Sequence, residues 1–94
     1  MIVRERITGL SSRYFNEMWG LYQASFPEEE RRDMPYFLAT IAIDSCHLEA
    51  LLRDGRFVGM LCWWKLDSFC YIEYLAQTLV FEVADLAKKF CKVL

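Results

Sequence analysis

Apolar and polar positions follow three rhythms along this chain. From 2 to 7 they alternate, with Ile2, Arg4 and Arg6 set against Val3, Glu5 and Ile7. This predicts an edge or outer strand with charge on one face. Gly9 ends it. Then Tyr14, Phe15, Met18, Trp19, Leu21 and Tyr22 recur at intervals of three and four, one apolar stripe of a helix that Ser11 or Ser12 can cap. Gly20 weakens that helix, and close packing is its expected role. Phe26-Pro27 ends it, because the residue before proline is pushed out of the α region. Ser25-x-x-Glu28 is a capping-box pattern for a new helical turn. The charged run 28–32 (EEERR) has no apolar stripe. It reads either as a solvated helix start or as a polar rim beside a substrate cleft. Asp33 then caps a short helix over 34–41, with Pro35 tolerated in its first turn.

The third rhythm belongs to 47–76, HLEALLRDGRFVGMLCWWKLDSFCYIEYLA, three extended runs joined by two turns. Asp54-Gly55 is a strong hairpin signal, since a type I′ turn needs positive φ at both central residues. Leu66-Asp67-Ser68 closes the second hairpin less decisively. Between them Phe57, Val58, Met60, Leu61, Cys62, Trp63 and Trp64 are almost unbroken. A strand with one wet face would alternate, so this one is predicted to be central and covered on both faces. Beyond it, Leu79, Val83, Leu86, Phe90 and Val93 recur at helical spacing, with Glu82 and Asp85 early and Lys88, Lys89 and Lys92 late. That order suits a helix dipole, and Thr78 is a plausible cap. The stretch 79–83 could instead extend the preceding strand.

At 94 residues the chain is long enough for one core, burying roughly 60–65% of its unfolded surface. A formal charge of −2 gives no driving force for binding nucleic acid. No apolar run reaches the roughly 18 residues of a membrane span, and the first residues lack the apolar core of a signal peptide. Cys46, Cys62, Cys70 and Cys91 show no C-x-x-C spacing and the chain has one histidine, so no zinc site is expected. Reduced thiols and a cytoplasmic location are.

With the element order read as strand, helix, helix and three-stranded meander, SFPEEERRDMPYFLATI, HLEALLRDGRFVGMLCWW and FCYIEYLA resemble the N-terminal half of a GCN5-related N-acetyltransferase (GNAT). The features that agree are the F-P-x-x-E-R-like step between the helices and the x-G-x-x-V/F-G hairpin. The resemblance covers 2–76 and implies an α+β partial GNAT fold, one domain over 1–94 with a divergent helix in 77–94. It also implies acetyl-CoA as cofactor, although no cofactor at all is the other expectation. In the family the fourth strand runs into a V-x-P-x-x-R/Q-x-x-G-x-G/A loop whose amides meet the cofactor pyrophosphate. Here 77–85 contain no glycine, arginine or proline, and every glycine of the chain lies at or before Gly59. Without glycine the backbone cannot approach phosphate closely. The family's later elements, with their tyrosine acid, find no match.

By the same resemblance Glu73 stands where many GNAT enzymes place the carboxylate that deprotonates the amine. Leu75 and Ala76 match the strand end that holds the pantetheine arm. The residues themselves also allow Glu73 to be a strand glutamate facing solvent or pairing with an arginine, and Leu75 and Ala76 to be core. Trp63, Trp64, Tyr71 and Tyr74 fit aromatic stacking on a ligand or cross-strand packing. His47 has no evident partner. Three readings follow: a truncated GNAT-like protein without independent acetyl-CoA-dependent activity, an acetyltransferase completed by a second chain, or a small α+β interaction module. A homo-oligomer through 69–76 or 79–94 is expected, because a bare apolar edge invites pairing.

Overall fold

The structure is a computed structural model and describes residues 1–78. It contains strand β1 (Ile2–Arg6), helix α1 (Phe15–Ser25), a single 3₁₀ turn (Glu28–Glu30), helix α2 (Met34–Ile41) and strands β2 (Cys46–Arg53), β3 (Arg56–Lys65) and β4 (Cys70–Gln77). The expected helix over 79–94 lies outside the described residues. The four strands form one antiparallel sheet in the order β1-β2-β3-β4. The unbroken apolar run is therefore an inner strand, as its pattern required. Asp54 and Gly55 both take positive φ, 53° and 77°, and close β2 onto β3 as a primed turn does.

The two helices lie on one face of the sheet. Phe15, Met18, Tyr22, Phe37 and Ile41 bury there against Leu48, Ala50, Met60, Cys62, Tyr74 and Ala76. Each large apolar side chain so buried contributes about 1.5–3 kcal/mol. On the opposite face Leu51, Val58 and Leu61 form a second buried cluster, flanked by Ile2, Trp63, Ile72 and Leu75. Cys46 and Cys62 are free thiols on the helix side, their sulfurs 3.8 Å apart. The hydrogen bond they share, together with burial, raises the Cys62 thiol well above its ordinary value.

Two bulges shape the sheet. Leu51 pairs with Gly59 but Leu52 with Phe57, leaving Val58 as the extra residue of β3. Cys62 pairs with Tyr74 but Trp63 with Ile72, leaving Glu73 as the extra residue of β4. Gly59, next to the first, lets β4 approach β3 closely: a Cβ there would stand 2.6 Å from the Ala76 carbonyl oxygen of β4.

Several local expectations give way. Helix α1 begins at Phe15 with Tyr14 in the left-handed region and no side-chain cap. The Ser12 hydroxyl is used earlier, accepting the amides of Thr8 and Gly9 and closing the turn after β1. Ser25 ends α1 rather than starting a new helix, and the step after Pro27 is one 3₁₀ turn without a side-chain cap. Gly20 is exposed, with no atom within 4 Å of where its Cβ would be, so it serves no close packing. Asp33 does cap α2, accepting the Tyr36 amide at 3.0 Å.

Candidate functional site

The connection between α1 and α2 is short, charged and held down by two tyrosines. Phe26 turns extended, its amide still bonded to the Tyr22 carbonyl, and Arg31 is extended as well. The Tyr22 hydroxyl accepts the Arg32 amide at 2.8 Å. Tyr22 lies 3.3 Å, hydroxyl to hydroxyl, from Tyr74, which donates to the Glu30 carbonyl at 2.7 Å. Both rings are packed in the helix-side core, edge to face at 4.9 Å. Burial and the contact with Tyr22 raise the Tyr74 phenol above its ordinary value, so it remains a donor. A run of three glutamates is thus anchored by its backbone while its side chains stay outside.

The bulge in β4 brings Glu73 into this assembly. One carboxylate oxygen accepts the Trp64 indole N–H at 2.9 Å, and the other pairs with the Arg32 guanidinium at 2.8 Å. Both side chains of the pair retain 19% exposure, enough to weaken the pair without dissolving it. Partial burial works against the Arg32 charge, but the hydrogen bond and charge of Glu73 outweigh it and raise the guanidinium above its usual value. Bulges commonly re-aim a side chain in this way. To take a proton from an amine, Glu73 must loosen one of these contacts. Leu75 pairs with Leu61 and joins the second cluster; Ala76 pairs with Met60 and is buried on the helix side. The three residues read from the sequence therefore share β4 but face three different surroundings.

Beside Arg32 lies a cavity of about 480 Å³ between α1 and the start of α2. Trp19 and Gln23 line it from the helix, Glu28, Arg31, Arg32 and Asp33 from the connection, and Met34 from α2. Within the charged run, Glu28–Glu30 form an exposed 3₁₀ turn, while Glu28, Arg31 and Arg32 edge the cavity. Of the other aromatic candidates, Tyr71 is exposed, while Trp63 lies on the far face. There it donates to Glu49 at 3.2 Å and stacks on His47 at 4.3 Å. His47 thus has a partner that the sequence did not suggest.

No family model matches the sequence, and no curated protein matches it. Among solved structures, the chain superposes with a TM-score of 0.80 on one described as "Putative acetyltransferase from GNAT family from Bacteroides thetaiotaomicron". This is a GNAT fold. The likeness runs over 96% of this chain and 52% of that one, at 23% identity, so the chain spans about half the length of the GNAT protein it resembles. Strands β1–β4 and helices α1 and α2 are what the described residues hold of that architecture.

Proposed function

We propose that this chain is a GNAT-type acyltransferase scaffold that carries the acceptor side of the site and does not bind acetyl-CoA by itself. The observation that carries the reading is the pairing of a GNAT fold with a segment from the end of β4 onward, 77–85, that holds no glycine, arginine or proline. The acceptor side has a cavity, a carboxylate at a bulge and a rigid rim. A pyrophosphate cradle needs several amides pointing at one anion, and that geometry leans on glycine. Glu73 is the residue proposed as base, with Arg32 positioning it. Leu75 and Ala76 are proposed to offer backbone to the pantetheine arm only when a cofactor side is supplied.

A ligand at about 100 times its Kd stabilises by roughly 2.7 kcal/mol, a rise in Tm of about 10 °C or more for a domain this size. The purified 94-residue chain is expected to show no shift with acetyl-CoA at about 1 mM, a concentration that samples even weak sites. A saturable shift overturns the reading. If that shift grows with protein concentration, a second copy completes the cofactor side. Support for that alternative is the position of β4 at the margin of the described sheet, with Phe69 and Tyr71 exposed beside it.

A further inference from the structure

The cavity beside Trp19 is unlike a generic surface cleft in how its charges are disposed. Arg31, on extended backbone, and its neighbour Arg32 both line it. Arg32 is engaged by Glu73 and Tyr74. The Arg31 backbone N–H bonds the Glu28 carbonyl, but its side chain has no partner among the described residues, and its Nε is buried without a hydrogen bond. A buried N–H left unpaired costs about 1–3 kcal/mol, and a guanidinium offers a planar fork that fits a carboxylate. Arg31 also lines the cavity, so its side chain brings a positive charge without a bonded partner to that wall. Its wall also carries the Glu28 and Asp33 carboxylates, and one Asp33 oxygen remains after the Tyr36 amide is served. Two acids beside the arginines disfavour a phosphate or any multiply charged anion. They suit a ligand that brings one negative and one positive group. The remaining wall is Trp19 and Met34, with the polar Gln23 beside them. The Trp19 indole is fixed by Phe15, Tyr22 and Phe37 at 6.2, 5.3 and 5.1 Å, and Met34 lines the cavity from the first residue of α2. The volume of about 480 Å³ falls within the range of small-molecule sites.

We infer that this cavity binds a zwitterionic amino acid with an apolar side chain, its carboxylate on Arg31, its ammonium toward Glu28 and Asp33 and its side chain against Trp19. This binding does not rest on the acyltransferase reading above, whose proposed base, Glu73, is not among the residues that line the cavity.

Phenylalanine is the probe, with 3-phenylpropanoate and phenethylamine as its two halves. The readout is the Trp19 indole N–H resonance of the intact chain, assigned with Trp19→Phe. Trp63 and Trp64 are internal references, because their indoles are held by Glu49 and Glu73. Phenylalanine is expected to shift Trp19 saturably, and each half-ligand to bind about tenfold more weakly or worse, since each loses a charge-assisted contact. Arg31→Gln is expected to weaken phenylalanine about tenfold while leaving the rest of the spectrum unchanged, because the side chain has no partner among the described residues. No saturable shift up to about 50 mM overturns the inference, that being weaker than any useful site. So does phenethylamine binding as tightly as phenylalanine, or an Arg31→Gln variant that binds normally. Acetyl-CoA enters none of these titrations, so an empty cavity leaves the acyltransferase reading standing, and a saturable acetyl-CoA shift leaves this inference standing.

Discussion

Replacing Gly59 with alanine tests the sheet geometry on which the site depends. The new methyl group would lie 2.6 Å from the Ala76 carbonyl oxygen, 3.4 Å from the Gln77 Cα and 3.4 Å from a Leu51 methyl. Leu51 can turn aside, but the Ala76 oxygen belongs to the backbone of a paired strand. Separating the two requires a shift of well over half an ångström in β3 or β4. Overpacking of this kind costs about 1–3 kcal/mol, and a rigid backbone obstacle puts the site at the upper end. Alanine loses less backbone freedom on folding than glycine, which returns about 0.5–1 kcal/mol. The net loss is about 2 kcal/mol, or roughly 8–16 °C in Tm for a domain of this size. Gly20→Ala is the control, since its Cβ meets nothing and it sits inside an exposed helix turn. That change is expected to stabilise by about 0.5–1 kcal/mol. Thermal melts of the two variants followed by circular dichroism should thus move in opposite directions. A Gly59→Ala protein that melts within about 2 °C of the parent would refute the reasoning, because that difference is under 1 kcal/mol.

Two further outcomes follow from the same structure. Glu73→Gln keeps an acceptor for the Trp64 indole but removes the charge facing Arg32, and should cost about 1–2 kcal/mol, the buried-pair value discounted for partial exposure. Chemical denaturation of Glu73→Gln, Arg32→Met and the double variant should show a coupling of similar size, and additive losses would mean the pair holds nothing. His47 carries the pH dependence: burial first, then Arg6, with Lys65 and Arg4 in the same sense and Glu49 opposing, lower it below its ordinary 6.5. The unfolded chain then binds the proton more readily, so stability is full above about pH 6.5 and declines as pH falls toward the folded value. His47→Gln should flatten that decline in a Tm series; an unchanged slope would assign it to other groups.

What could be read from the residues is local. The apolar run of β3, the Asp54-Gly55 turn and the Asp33 cap each act within a few positions, and each appears where the pattern puts it. The failures involve residues with more than one use for the same atom. Ser12 could cap a helix or tie a turn, and the amides of Thr8 and Gly9 lie nearer. Tyr22 looked like one more apolar position of the stripe, and only its hydroxyl distinguished it from phenylalanine. That hydroxyl reaches Tyr74, 52 positions away, a separation about which no periodicity speaks. The bulge at Glu73 is equally silent, since the string CYIEYLAQ contains no glycine to mark it. The candidate base was therefore legible as a residue type on a strand, while the partners that define its environment were not.

The tyrosine pair makes the rim of the cavity and the last described strand a single mechanical piece. Glu30 and Arg32 hang by their backbones from phenols rooted in the core, so the rim cannot move unless β4 moves with it. Free-energy coupling runs equally in both directions. Whatever stiffness a small molecule in the cavity lends to β4, a chain laid along β4 lends back to the cavity as affinity. A ligand bound in the cleft and a chain paired along the strand would each strengthen the other.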